Sequence, residues 1–276
     1  MTAGDGRWLG GEPHPLARCV LAPNPGPLTL DGTNTWVLSA PGSNSALVVD
    51  PGPDDEGHLH AVLAAVRERG ARVVSVLLTH GHPDHGAGAR RFAELSGAGV
   101  RALDPAQRLG GEGLADGDVV AAGELELRVV ATPGHSGDSL CFLLPAAGAL
   151  LTGDTVLGRG TTVVAPPDGR LVDYLASLHT LEGVCADAEP DWVFPGHGPV
   201  LPRPGEVVRH YLRHRRERLA QVSAAVADGA RAAREVVERV YADVDRSLWP
   251  AAELSVRAQL DYLGEAGAQG PVDRTR

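Results

Sequence analysis

The sequence predicts an α+β fold, a four-layer αββα sandwich of two sheets with helices outside, followed by a small helical domain at the C-terminus. Short apolar runs recur along the first two thirds of the chain, several closing on a glycine and a polar residue. Amphipathic patterns of helical period lie between them. After Pro202-Arg203-Pro204-Gly205 only helical periodicity remains. With 276 residues the chain exceeds one average domain, so residues 1–202 and 203–276 are read as two.

In order, strands are expected at 35–39 and 46–49, the second ending on Asp50-Pro51-Gly52, then an amphipathic helix over 55–69. A strand over 73–78 follows, a helix over 87–95, and strands over 125–130 and 149–151. A helix over 171–181 and a strand over 191–194 complete the sandwich. Beyond the proline break, Val207, Val208, Tyr211, Leu212, Leu219 and Val222 mark one apolar helix face. Two more helices are expected at 232–240 and 250–263, and residues 267–276 as a frayed tail.

A net charge of −10 argues against a strongly basic nucleic-acid-binding protein but leaves room for a local basic patch. Cys19, Cys141 and Cys185 are an odd, widely spaced set, which fits reduced core thiols better than disulfides or a cysteine metal site. The N-terminus carries no basic segment followed by an apolar core, and no run of about 18 apolar residues occurs. The expectation is a cytoplasmic protein with no membrane association; the oligomeric state is open.

The chemistry is concentrated in Thr79-His80-Gly81-His82-Pro83-Asp84-His85, directly after the 73–78 run. Four potential ligands in six residues let one tight turn aim His80 and His82 at one ion, Asp84 and His85 at another. Further ligands end further strands: Thr132-Pro133-Gly134-His135, Thr152-Gly153-Asp154 and Pro195-Gly196-His197-Gly198. Glycine beside each lets the backbone come close to the ions. Asp50 is either a hydrogen-bond partner for a ligand histidine or a turn former before Pro51.

The order HxHxDH, His, Asp, His resembles the metallo-β-lactamase superfamily of binuclear hydrolases. The chain is similar to its branch of β-lactamase-like endoribonucleases through the segments 24–35, 153–163, 173–178 and 194–199, which implies that residues 203–276 form a winged-helix-like domain. The resemblance implies that His80, His82 and His135 bind one metal, Asp84, His85 and His197 the second, and that Asp154 bridges them. Two divalent ions are expected, Zn²⁺ first by these nitrogen and oxygen donors, with Mn²⁺ or Fe²⁺ as alternatives. Gly81 stands where glyoxalase II enzymes carry a histidine, Asp154 where zinc lactamases use cysteine, and His82 where flavodiiron proteins have glutamate.

Two such cations lower the pKa of a shared water, giving a hydroxide nucleophile, and offset negative charge in the transition state. Asp84, as a catalytic residue, would orient that nucleophile or pass a proton. The resemblance implies a phosphodiesterase acting on single-stranded RNA. A thioesterase releasing acyl or polyketide chains from a carrier protein or coenzyme A is the alternative; a glyoxalase II-like hydrolase and a non-catalytic binding module stand further off. Arg159 is the expected substrate contact in the loop after Asp154, or else a solvated loop arginine. Arg213, Arg215 and Arg216 belong to a dense basic run at 209–218, either a track for phosphates or a solvated helix face. Trp36, Tyr174 and Trp192 would stack on substrate or pack in the core. His58, His60 and His179 read as ordinary histidines.

Overall fold

The computed structural model describes residues 6–268. Six strands form a first sheet in chain order: β1 (Gly11–His14), β2 (Ala17–Leu21), β3 (Asn34–Leu38), β4 (Ser45–Val49), β5 (Arg72–Leu77) and β6 (Val100–Arg101). Six form the second, again in chain order: β7 (Val119–Ala122), β8 (Leu125–Ala131), β9 (Leu140–Leu144), β10 (Ala149–Gly153), β11 (Trp192–Pro195) and β12 (Leu201–Pro202). Neighbours run antiparallel except where a helix intervenes. Helix α1 (Glu56–Glu68) makes β4 and β5 parallel, α2 (Pro83–Gly86) and α3 (Ala89–Ser96) do the same for β5 and β6, and α4 (Leu171–Ala188) for β10 and β11.

Strand alternation builds three layers of core at once. In β3 and β4, Trp36, Leu38, Leu47 and Val49 point between the sheets, where they meet Leu127, Val129, Phe142 and Phe194. Their neighbours Val37, Ala46 and Val48 point outward onto Leu59, Val62 and Phe92 of α1 and α3. On the far side, Cys141, Leu143 and Leu150 pack under Tyr174 and Leu178 of α4. Because both faces of the central strands are covered, they read as continuous apolar runs. The carboxylate of Asp55 caps α1 by accepting the backbone N–H of His58 at 2.8 Å.

Two polar links lock the sheets together at the end where Gly153, Gly196 and Gly198 gather. Asn34 donates through Nδ2 to the carbonyls of Pro195 and Gly198 at 2.9 and 2.8 Å, and Trp36 through Nε1 to that of Pro195 at 3.1 Å. The backbone N–H of Leu140 donates to the Thr79 carbonyl at 2.7 Å. Both links lie at the ends of β5 and β11, so they fix the loops that leave these strands.

The C-terminal part is helical: α5 (Pro204–Ala227), α6 (Ala233–Val240) and α7 (Trp249–Ala268). Helix α5 is continuous for 24 residues. Its first half, with Val208, Tyr211 and Leu212, shares a core with α4. Its second half, with Val222, joins Val236 and Val256 in a separate cluster with α6 and α7. Differences from expectation are local. β1, β2, β6, β7, β9 and β12 were not foreseen, and α4 runs on to Ala188. Of the expected tail, 267 and 268 close α7, and 269–276 lie outside the described residues.

Candidate metal centre

The ends of β5, β8, β10 and β11 converge. After β5 the chain passes His80 and Gly81 to His82, which is extended at φ −61°, ψ 145°, and Pro83 then opens the short helix α2. Extended backbone throws His80 and His82 toward one point; the helical turn carries Asp84 and His85 toward another. His135 arrives from the β8–β9 connection, Asp154 directly after β10 and His197 after β11.

Three overlapping groups able to hold an ion result: His80, His82 and His135; Asp84, His85 and His197; and His80, His85 and Asp154. His82 Nδ1 is 3.1 Å from His80 Nε2 and 3.0 Å from His135 Nε2. His85 Nε2 is 3.2 Å from His197 Nε2, and Asp84 Oδ2 is 3.1 Å from His197 Nε2. Asp154 sits between the two histidine sets, with Oδ1 3.4 Å from His85 Nε2 and Oδ2 3.3 Å from His197 Nε2 and 3.7 Å from His135 Nε2.

The outward nitrogens fix the tautomers. Nδ1 of His135 donates to the Val163 carbonyl at 2.8 Å, Nδ1 of His197 to that of Gly32 at 3.2 Å, and Nδ1 of His85 to Asp50 Oδ2 at 2.9 Å. His80 Nδ1 faces Thr79 Oγ1 at 3.0 Å, and His82 Nε2 faces Asp168 Oδ2 at 3.3 Å. With these positions taken, lone pairs of five imidazoles point at one another across about 3 Å, an arrangement that a cation relieves. Asp154 Oδ1, buried, has no hydrogen-bond partner among the described residues. The donor set therefore fits divalent ions.

The protonation preferences follow the same crowding. Burial, with the neighbouring imidazoles, pushes His80 and His135 below the usual histidine value. Burial acts the same way on His85 and His197, but the Asp154 carboxylate outweighs it, holding His85 well up and His197 up at about 9. Asp84 and Asp154 are held well below the carboxylate range by the histidines despite burial. Such a site exchanges protons for metal.

Glycine spacing is explained by contact. A Cβ on Gly196 would lie 2.5 Å from Asp154 Oδ1, and one on Gly153 2.7 Å from the side chain of Thr79. A Cβ on Gly81 would meet Gln107 Nε2 at 3.0 Å and Asp138 Oδ2 at 3.2 Å, so a larger residue between His80 and His82 would have to shift these two side chains.

The loop leaving Asp154 is fastened from behind. Tyr174 Oη donates to the Thr155 carbonyl at 2.7 Å, and Tyr211 Oη accepts from Leu157 N–H at 2.9 Å and donates to the Gly160 carbonyl at 3.1 Å. Arg215 donates to the Thr162 carbonyl, and the Thr162 hydroxyl donates to the carbonyl of Asp154. Buried Arg215 stacks 4.8 Å over the ring of Tyr174.

The four arginines expected at substrate therefore lie in different places. Arg215 is inside the protein; Arg216 is exposed and 3.3 Å from His179. Arg213 is exposed on a cavity beside the centre, and Arg159 forms an ion pair with Asp31 at 2.7 Å. Trp36 and Tyr174 are buried, Trp36 stacked on Phe194, so neither presents a face to substrate. Asp50 has both roles that its position allowed: it bonds His85 and ends β4 in the left-handed region at φ 53°. Asp168 beside His82 was missed, because a lone loop aspartate carries no spacing signal.

Residues 28–197 match the metallo-beta-lactamase superfamily, and residues 232–268 the beta-lactamase associated winged helix domain. The chain is 33% identical over 241 residues to the atrochrysone carboxyl ACP thioesterase of Aspergillus fumigatus, covering 80% of this chain and 72% of that protein. It is 31% identical to the beta-lactamase-like protein 2 homolog of Drosophila melanogaster, covering 90% of this chain and 87% of that one. A beta-lactamase domain protein from Burkholderia ambifaria superposes with a TM-score of 0.78 at 25% identity, covering 97% of this chain and 90% of that chain. With its two sheets, flanking helices and C-terminal winged-helix domain, the chain belongs to the metallo-β-lactamase superfamily and is a metal-dependent hydrolase.

Proposed function

We propose that this hydrolase cleaves phosphodiester bonds in single-stranded RNA in the cytoplasm. The observation that carries the mechanism is the convergence of the triads His80, His82, His135 and Asp84, His85, His197 on Asp154. Two divalent cations, zinc by donor type, would be held there and would supply a nucleophile at neutral pH and offset charge at phosphorus. His82 and Asp84 are the half-exposed ligands, so substrate and water approach on their side. Asp84 engages His197 through Oδ2 and has a second oxygen with which to orient the nucleophile or take its proton. The resemblance of the motif segments to β-lactamase-like endoribonucleases supports the RNA reading, and similarity to beta-lactamase-like protein 2 homologs runs along most of both chains.

A thioesterase acting on acyl chains of a carrier protein or coenzyme A is the second reading. The relative named as an ACP thioesterase favours it, as does the net charge of −10, which weakens long-range attraction of a polyanion. Chelator-sensitive turnover of a labelled single-stranded RNA and of an acyl thioester, run in parallel, separates the two. His80→Ala and Asp154→Ala should abolish either activity. Wild-type-like turnover by metal-replete His80→Ala would overturn the mechanism.

A further inference from the structure

Beside the metal centre, on the His197 side, lies a cavity of about 530 Å³ between the loop after Asp154 and the first turns of α5. Its volume is within the range of small-molecule sites. Its wall is shared with the centre: Gly158 donates its N–H to the His197 carbonyl at 2.8 Å, and a Cβ there would lie 2.2 Å from the Pro199 carbonyl oxygen. Leu157 and Tyr211 contribute to the lining, and Tyr211 holds the loop through its hydroxyl.

The rim is cationic. Arg159, Arg203, Arg209, His210 and Arg213 line the cavity, and Glu206 is its single acidic lining residue. Glu206 is engaged by Arg203 at 3.1 Å, and Arg159 by Asp31 at 2.7 Å. Arg209 and Arg213, exposed and one helical turn apart, form no ion pair among the described residues. Two adjacent guanidiniums without a carboxylate, in a protein whose net charge is −10, mark a place where an anion is preferred. Guanidinium forks match phosphate oxygens in pairs, which favours phosphate over a simple carboxylate.

We propose that this cavity is a phosphate subsite in which Arg209 and Arg213, with Arg159 at the rim, grip a backbone phosphate of RNA flanking the bond cleaved at the metal centre. The inference rests on the RNA reading given under Proposed function. It assigns the basic run on α5 a divided role: the Arg209 and Arg213 side chains meet substrate, while Arg215 serves the interior.

The test is binding of the full-length, metal-loaded protein to a 2′-O-methyl RNA oligomer, read by fluorescence anisotropy over a series of salt concentrations. Arg209→Gln/Arg213→Gln should bind about 10-fold more weakly, and two lost phosphate contacts should lower the salt slope by about 1.4. Arg213→Lys should recover part of the affinity, and Arg257→Gln on α7 should bind as wild type. Circular dichroism verifies that each variant is folded. Wild-type affinity and slope in the folded double variant, with RNA cleavage by wild type intact, would overturn the subsite alone. Failure of the wild type to bind or cleave RNA would overturn the reading of function. If only coenzyme A binding were lost in the double variant, the assignment to RNA would fall.

Discussion

The Asp50 carboxylate reaches two segments of the site at once: its Oδ2 lies 2.9 Å from His85 Nδ1, while the same group accepts the Thr79 backbone N–H at 2.8 Å and its hydroxyl at 2.7 Å. Thr79 in turn faces His80. One buried carboxylate at the end of β4 thus orients a histidine from each triad.

Asp50→Asn keeps the shape but no longer accepts in the same way from both partners. Metal affinity should fall by about 10- to 100-fold, as for other partners of ligand histidines. Titration against a competing chelator checks this, and unchanged affinity would deny Asp50 its orienting role.

Gly196→Ala should leave the fold nearly intact and damage the centre. The added methyl would meet Asp154 Oδ1 at 2.5 Å and His85 Cε1 at 2.8 Å, both on ligand side chains, and the carbonyl carbon of Gly153 at 3.0 Å. Metal analysis of the purified variant should find less than the wild-type content, with a melting curve of the chelated protein close to that of chelated wild type.

Arg215→Met removes the donor to Thr162 from the interior and should cost about 2 kcal/mol, typical of a buried charge-assisted hydrogen bond. Because Val163 holds His135 and Thr162 holds Asp154, metal affinity should fall as well. Loss of stability with wild-type metal affinity would show that the clamp ends at the loop.

His58, buried under Thr35 at 2.9 Å, is pushed down to about 4 from 6.5, chiefly by burial. The unfolded chain takes up its proton near pH 6.5 and the folded chain only near 4. The contribution is therefore full above pH 6.5 and is lost as pH falls toward 4, by up to about 3 kcal/mol. Urea midpoints of His58→Gln should decline less steeply over that window than those of wild type.

The centre was legible in sequence because His80, His135, Asp154 and His197 come soon after apolar strands, and the last three stand beside glycines whose missing side chains the contacts explain. The sandwich was legible because β3, β4 and β5 are apolar on both faces. The edge strands were not: β6 and β12 are two residues each, and β1 carries Glu12 and His14. The arginines of α5 were read together because a guanidinium reads as solvent-facing wherever it falls in the helical period. The period of the helix places Arg215 with Tyr211 and Leu212, a pattern that the charge obscured.

Helix α5 spans the gap between the two matched domains, which end at 197 and begin at 232. Its early residues Tyr211 and Arg215 brace the loop that follows Asp154. A hybrid joined at residue 202 would carry this brace away with the foreign helices, whereas a junction near 228, after the last turn of α5, would leave it at home. In modular terms α5 belongs to both halves: its early residues brace the loop after Asp154, and its later ones, Val222 and Ala225, supply part of the core that α6 and α7 close over.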